Sequence, residues 1–291
     1  MSETEFKLDP GMKIGPVSLR VRNPNLMLEF YEKDLGFKVL RSEGNTYALA
    51  PRDETQPILI LKNDAKAEVA PRDAAGLFHF ALLVPDRRSL ADVYVSVGNA
   101  GVIFDGFGDH LVSEALYLTD PEGNGIEIYS DRPRSEWKFD EGGQVKMATE
   151  PLDIDSLLKE RLGGLTNGPP SMPAGTRIGH VHLKVTNLER SIAFYQGMLG
   201  LNLMSFWGSA AFLSVGGYHH HVGMNTWESL DGDPMRQDYA GLEYFTITIP
   251  EENLRHLSYG LADSPFLQGQ TPDQLFISDP DGIEITIKTP S

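Results

Sequence analysis

The chain has 291 residues, a formal net charge of −16 and no cysteine. The negative charge argues against a nucleic-acid partner and against binding to an anionic membrane surface. No apolar run approaches the ~18 residues of a membrane span, and the N-terminus lacks a secretory signal, so we expect a cytoplasmic protein. Without cysteine, a metal site has to use His, Asp, Glu or Tyr.

A segment near the N-terminus recurs in the second half of the chain. "LRVRNPNLMLEFYEKDLGFKVL" (Leu19–Leu40) aligns without a gap with "LKVTNLERSIAFYQGMLGLNLM" (Leu183–Met204). Each copy predicts a short strand followed by an amphipathic helix, with an asparagine N-cap and a terminal glycine. These residues are Asn23 and Gly36 in the first copy, and Asn187 and Gly200 in the second.

A second repeat follows each copy of the first. "HFALLVPD" (His79–Asp86) parallels "YFTITIPE" (Tyr244–Glu251). Further on, "LYLTDPEGNGIEIY" (Leu116–Tyr129) parallels "LFISDPDGIEITI" (Leu275–Ile287), with a gap of two residues. Short strands separated by turn sequences complete each repeat, so the sequence predicts four βαβββ modules. We name them A, B, A′ and B′ in chain order.

The modules fall into two predicted pairs. Residues 10–133 hold A and B, and residues 176–290 hold A′ and B′. A polar connector, residues 134–175, lies between the pairs and contains one predicted helix near Asp155–Leu162. Because this connector is long, the order in which the modules pair in space stays open.

The module patterns "LxVxNxxxxxxFYxxxLG" and "DPxGxxIEI" resemble the vicinal oxygen chelate superfamily of glyoxalases, antibiotic resistance proteins and extradiol dioxygenases. The longer strings "GLFHFALLVP", "EALYLTDPEGNGIEIYSDRPRSEW", "GHVHLKV" and "GGYHHHVGMN" are similar to two-domain catechol 2,3-dioxygenases. The resemblance implies an α+β fold in which four βαβββ modules form two cup-shaped mixed sheets. It also implies that metal ligands come from the first and last strands of modules.

The ligand positions differ between modules. The first-strand position holds Pro16 in A, His79 in B, His180 in A′ and Tyr244 in B′; the last-strand glutamates are Glu127 in B and Glu284 in B′. If consecutive modules pair, neither cup gains two histidines and a carboxylate. If B pairs with A′, one cup gathers His79, Glu127 and His180, and we prefer this arrangement.

Two histidines and one carboxylate leave coordination positions open and suit non-heme Fe(II). The resemblance implies the same metal, with Mn(II) as the usual substitute. Glu284 is a less favoured ligand, since a glutamate in this position can instead pair with an arginine.

We expect the run His219–His221 to contribute an acid–base group to the same cup. As a strand, it would place His219 and His221 on one face and His220 on the other. The resemblance implies an acid–base histidine in this stretch, and the alignment favours His221 over His220. Histidine titrates near neutrality and can exchange the protons of a diol. We expect His219 to line a polar edge.

Several other residues are candidates for a supporting or pocket-lining role. His182 shares the face of His180, and the resemblance points to His110. Aromatic side chains could flank a substrate ring, although large aromatic residues in strands more often belong to the core. These are Tyr129, Tyr218, Tyr244 and Trp227.

The resemblance implies an extradiol ring-cleavage dioxygenase that opens a catechol-type diol with O2. One alternative is a glyoxalase-like isomerase or lyase, which is disfavoured because such sites tend to have two carboxylates. The other is a resistance protein that sequesters a small molecule, disfavoured because such modules typically lack the triad. The partners expected are a small aromatic diol and O2, and a homodimer that completes a cup between chains stays open.

Overall fold

The computed structural model describes residues 6–142, 144–161 and 169–290. Each of four successive segments follows the order strand, helix, three strands, as predicted. Module A contains β1 (Lys13–Val21), α1 (Pro24–Glu29), β2 (Lys38–Glu43), β3 (Thr46–Ala50) and β4 (Leu59–Asn63). Module B contains β5 (Gly76–Leu83), α2 (Arg87–Asn99), β6 (Gly106–Asp109), β7 (Ser113–Thr119) and β8 (Gly125–Asp131).

The second half repeats this order. Module A′ contains β9 (Arg177–Lys184), α4 (Leu188–Ile192), β10 (Asn202–Phe206), β11 (Ala210–Ser214) and β12 (Val222–Asn225). Module B′ contains β13 (Gly241–Thr248), α5 (Glu251–Gly260), β14 (Leu267–Thr271), β15 (Gln274–Ser278) and β16 (Glu284–Lys288). The connector holds α3 (Ile154–Lys159), which begins one residue before the predicted helix and overlaps it. The last predicted residue, Leu162, lies outside the described residues.

The strands form two mixed sheets of eight. One has the order β14-β15-β16-β13-β1-β4-β3-β2, and the other has the order β10-β11-β12-β9-β5-β8-β7-β6. Strands of B therefore share a sheet with strands of A′, and those of A share one with B′. The α+β class and the preferred pairing of modules are both confirmed.

The chain also divides into two compact units. One comprises the described residues up to Val17, Glu68–Phe78 and the described residues from His180 onward; the other comprises Ser18–Ala67 and those from His79 to Gly179. In the first unit, buried aromatic residues such as Phe194, Tyr195 and Phe245 fill the core. Tyr31, Phe80 and Tyr129 do the same in the second. No helix among the described residues is long and apolar enough to cross a membrane.

The helices of A and A′ begin and end as the sequence predicts. The side chain of Asn23 accepts a hydrogen bond from the N–H of Leu26, and Asn187 caps α4 in the same way. Both helices then continue as a π-helical turn, over Phe30–Asp34 and Ala193–Met198. Gly36 and Gly200 follow with φ of +77° and +81°, a conformation that favours glycine.

The π-helical turns aim a tyrosine at the turn of another module in the same unit. The Tyr31 hydroxyl donates to Asp120 at 2.9 Å, and the Tyr195 hydroxyl donates to Asp279 at 3.0 Å. Each aspartate opens the turn before its module's last strand, β8 or β16. Burial raises the pKa of both carboxyls, that of Asp279 to about 7.

Asp279 should make stability depend on pH. Its unfolded carboxyl titrates near 3.8, so between that pH and about 7 the folded chain binds the proton more tightly. The contribution of Asp279 to the free energy of unfolding is therefore complete below pH 3.8 and is lost as the pH rises to about 7. Denaturant unfolding across this range should show Asp279→Asn with a flatter pH dependence than the parent. The exposed control Asp263→Asn should keep the parent slope; equal slopes in both variants would contradict the assignment.

Candidate metal centre

His79 and Glu127 form a buried pair on adjacent strands of B. Strands β5 and β8 are parallel, with His79 opposite Gly125 and Ala81 opposite Glu127. His79 Nε2 lies 3.0 Å from Glu127 Oε2, and both side chains are less than a tenth exposed. A buried carboxylate is costly unless a cation or hydrogen bonds compensate it. The pair therefore suits a metal ion.

Tyr117 completes this part of the site and was not anticipated. It lies directly opposite Glu127 across the β7–β8 hairpin. Burial, and then the charge of Glu127, raise the pKa of its hydroxyl well above the usual value, so Tyr117 stays protonated. Counting pairs outward from the turn, with Thr119 opposite Gly125, would have located Tyr117 from the sequence.

His180 lies on β9 of A′, buried among other histidines. Its ring centroid is 4.0 Å from that of His220 and 6.1 Å from that of His219. His219 and His220 are themselves joined, Nδ1 to Nδ1, at 2.7 Å. Together, His79, Glu127 and His180 each offer one ligand atom, and these atoms all lie within 4.8 Å of one another.

The histidine run is not part of a strand, which corrects the alternation we expected. Residues 216–221 form turns and bends, and β12 begins only at Val222. His219 is 1% exposed, so the expected polar edge is also wrong. His221 and His220 have different partners: His221 Nδ1 lies 2.7 Å from Ser214 Oγ, and His220 Nδ1 lies 2.7 Å from His219 Nδ1. Two consecutive glycines with positive φ, Gly216 and Gly217, shape this turn.

His182 is buried next to His180 on the same strand. Asn225 Oδ1 accepts a hydrogen bond from the main-chain N–H of Trp227. This bond orients the Asn225 amide so that its Nδ2 lies 2.9 Å from His182 Nε2. The rings of Phe78 and Trp227 lie 5.2 Å and 5.7 Å from the imidazole. His182 is thus held in one orientation, with Trp227 half-exposed beside it.

The remaining aromatic candidates have different surroundings. Tyr129 belongs to a buried cluster with Ala81, Leu83 and Ala115 and so packs as core. Tyr218 lies against the rings of His219 and His221. The predicted pocket residue His110 sits between β6 and β7, with Nε2 2.6 Å from the Tyr117 hydroxyl.

Glu284 does not occupy the position equivalent to Glu127, which corrects our alignment. In B′, Tyr244 pairs with Glu284, and Thr246 pairs with Thr286. Phe276 on β15 also faces Thr286, as Tyr117 faces Glu127.

The two turns of B and B′ have equal length, so their repeats align without the two-residue gap. Each turn spans five residues and carries the same hydrogen bonds, with Asn124 and Ile283 both donating to the turn's aspartate. Thr286 therefore stands where Glu127 stands, and Glu284 where Gly125 stands. The segment "GIEI" of B′ therefore lies two residues earlier along its strand than the segment "GIEI" of B.

Known proteins resemble this chain over most of its length. Residues 13–128 and 177–287 match the family described as Glyoxalase/Bleomycin resistance protein/Dioxygenase superfamily. A catechol-2,3-dioxygenase of Bacillus subtilis is 38% identical over 271 residues, covering 92% of this chain and 93% of that protein. The glutathione transferase FosA of Serratia marcescens is 27% identical over 121 residues, covering 38% of this chain and 78% of that protein.

Solved structures share the fold. The crystal structure of a putative dioxygenase from Bacillus subtilis superposes with a TM-score of 0.64 at 14% identity, covering 98% of this chain and 86% of that one. Glyoxalase I from Zea mays gives 0.58 at 14% identity, with 96% and 92% covered. At these identities the likeness concerns the fold alone.

Gly223 tests the packing of His182. A Cβ at Gly223 would lie 2.9 Å from His182 Nδ1, so the imidazole has to shift. We expect Gly223→Ala to destabilise the protein by about 1–3 kcal/mol, as overpacking typically does, in denaturant unfolding. Gly197→Ala is the matched control, because its Cβ would meet no atom within 4 Å. Equal stabilities of the two variants would show that His182 is loosely held.

Proposed function

Because the chain belongs to the Glyoxalase/Bleomycin resistance protein/Dioxygenase superfamily, we propose that it is an extradiol dioxygenase. It opens a catechol-type aromatic diol with O2 at a non-heme Fe(II) centre. The observation that carries the proposal is the buried group of His79, Glu127 and His180. The similarity to a catechol-2,3-dioxygenase over nearly the whole chain supports the same reaction.

The three donors fit such a metal. Their residues are 6%, 3% and 1% exposed, and two imidazoles with one carboxylate leave coordination positions free for other ligands. This donor set is typical of Fe(II) oxygenases, and Mn(II) would be accommodated by the same ligands. When bound, the metal would hold both diol oxygens and O2 side by side and transfer electron density between them.

The chain's own residues manage the protons of the diol. A catechol has to lose protons to bind through both oxygens, and a neighbouring imidazole is suited to accept them. Of our two candidates, His220 packs directly on the ring of His180. The Nδ1 atoms of both are engaged, that of His220 by His219 and that of His221 by Ser214. The contact with His180 is therefore the ground on which we assign proton transfer to His220, with His221 supporting the turn that presents it.

The isomerase and sequestration alternatives have less support. A glyoxalase-like site would want a second carboxylate, whereas Glu127 is the one carboxylate in the triad. A protein that only sequesters a molecule has no need of two buried histidines beside a buried glutamate, an arrangement that costs free energy without a cation.

Paired glutamate variants test the proposal. Protein reconstituted anaerobically with Fe(II) should consume O2 when catechol is added and form a yellow ring-opened product. In Glu127→Gln, loss of a ligand should lower O2 uptake beyond the ~100-fold typical of losing a group that only supports a ligand. Bound iron should fall with it.

Glu284→Gln is the matched control, since Glu284 faces Tyr244 in the other sheet. It should keep full O2 uptake and full iron content. Normal uptake in Glu127→Gln, or loss of uptake in Glu284→Gln, would place the iron elsewhere. No O2 uptake by the parent protein with any diol would overturn the dioxygenase assignment itself.

A further inference from the structure

A polar cavity lies in module B, on the side of the sheet away from the candidate metal centre. Glu114 and Ser130 face each other across the β7–β8 hairpin, and both line the cavity. Along β8, Ser130 is three residues from Glu127, so alternation sends these two side chains to opposite faces. The cavity has a volume of about 450 Å³, within the range of small-molecule pockets. It is therefore large enough for a ligand of its own.

Two arginines form part of the cavity wall, and both are already neutralised. Arg87 donates from Nε to Glu114 at 2.5 Å and from Nη1 to Glu160 at 2.9 Å. Arg132 donates from Nη2 to Asp109 at 2.6 Å and to Glu114 at 3.1 Å. Each guanidinium group thus contacts two carboxylates, so neither presents an uncompensated positive charge to an anionic ligand.

The walls of the cavity carry an excess of negative charge. Five carboxylates line it against the two guanidinium groups, which leaves a formal charge of −3. The carboxylates belong to Asp109, Glu114, Asp131, Glu136 and Asp153. A concave surface lined mainly by one sign of charge concentrates the field of that sign, so this cavity favours a cation.

The hydroxyl of Ser130 is a second and independent indication of a ligand. Ser130 is 2% exposed and lines the cavity, yet its side chain makes no hydrogen bond to any residue that the structure describes. Since buried side-chain polar groups are hydrogen-bonded in the large majority of cases, this oxygen is available to a molecule inside the cavity. It can accept a hydrogen bond from a donor such as an ammonium group.

The spacing of the carboxylates favours an organic cation over a metal ion. Among the described residues, His79, Glu127 and His180 are the one group of three whose ligand atoms lie within 4.8 Å of one another. No three carboxylates of the cavity converge in that way, whereas Mg²⁺ and Ca²⁺ require several oxygen ligands around one point. A flexible chain with separate ammonium groups can instead contact carboxylates that lie apart.

We propose that this cavity binds an aliphatic polyamine, a chain that carries two or more protonated amines. One ammonium group donates to the Ser130 hydroxyl beside Glu114, and the others pair with Glu136 and Asp153, which are exposed at the rim. Glu136 and Asp153 belong to the connector, whereas Ser130 and Glu114 belong to module B. The ligand therefore joins the connector to module B, and its binding does not depend on the reaction proposed for the triad.

Isothermal titration calorimetry of the full chain with spermidine, a triamine, tests the site. We expect one spermidine to bind per chain, and binding to weaken as ammonium groups are removed, in the order spermidine, putrescine, propylamine. Ser130→Ala and Glu136→Gln should each weaken spermidine binding by about tenfold, the ratio expected for loss of a hydrogen bond to a charged group. Neither change removes a hydrogen bond within the protein, so both variants should unfold in denaturant as the parent does.

Each variant has a matched control in the connector. Glu141→Gln removes the same charge as Glu136→Gln, and Ser135→Ala removes the same hydroxyl as Ser130→Ala, but both control residues are exposed and lie outside the cavity lining. The two controls should bind spermidine as the parent does. Equal weakening in Glu136→Gln and Glu141→Gln would show that spermidine responds only to the net charge of the chain, and would overturn the site.

A parallel titration with Mg²⁺ separates the polyamine from a metal ion. We expect no Mg²⁺ binding that depends on Glu136. Mg²⁺ binding that is lost in Glu136→Gln, with spermidine binding unchanged, would overturn the polyamine in favour of a metal ion. Failure of millimolar spermidine to bind the parent would overturn the proposal outright, and O2 uptake by the Fe(II)-loaded parent would still test the dioxygenase assignment separately.

Discussion

The site depends on the strand register that one five-residue turn imposes. In B this turn runs from Asp120 to Asn124, and the Asp120 carboxylate accepts main-chain N–H groups within it. The Tyr31 hydroxyl fixes the same carboxylate from outside. With the turn fixed, β8 can pair in only one way, which puts Glu127 opposite Tyr117 and beside Ala81. A slip of one residue would send the carboxylate to the other face of the sheet.

The repeats show how the same scaffold can present different residues at the proposed ligand positions. Module B′ preserves the turn, its tyrosine contact and the register, yet it has Tyr244, Phe276 and Thr286 where B has His79, Tyr117 and Glu127. The scaffold is therefore independent of the ligands. A buried glutamate destabilises the fold unless it is compensated. Module B nevertheless buries Glu127, and His180 of module A′ lies close to it. This arrangement indicates that a cation is required beside the Glu127 carboxylate.

Much of this could be read from the sequence. Repeats identified the modules, and asparagine caps and glycines located the helices, because these signals are local. The proposed ligands His79, His180 and Glu127 followed from the ligand positions that the family resemblance implies within each repeat. The π-helical turns and the bend through His219–His221 were missed, since glycines outside a strand can redirect several residues at once.

The misplacement of Glu284 has a different cause. Matching "GIEI" in both modules seemed to require a gap, although equal turns leave none. Register across a hairpin depends on turn length, and letter identity is a weaker guide than counting from the turn. The same count would have revealed Tyr117.

We propose that His79, Glu127 and His180 hold one metal ion. The most direct test of this proposal is a crystal structure of the Mn(II)-loaded protein, with anomalous scattering recorded on both sides of the manganese absorption edge. We expect one strong anomalous peak within coordination distance of those three side chains. A peak at Glu284 and Tyr244, or full loading of the protein with no peak at the triad, would contradict the account.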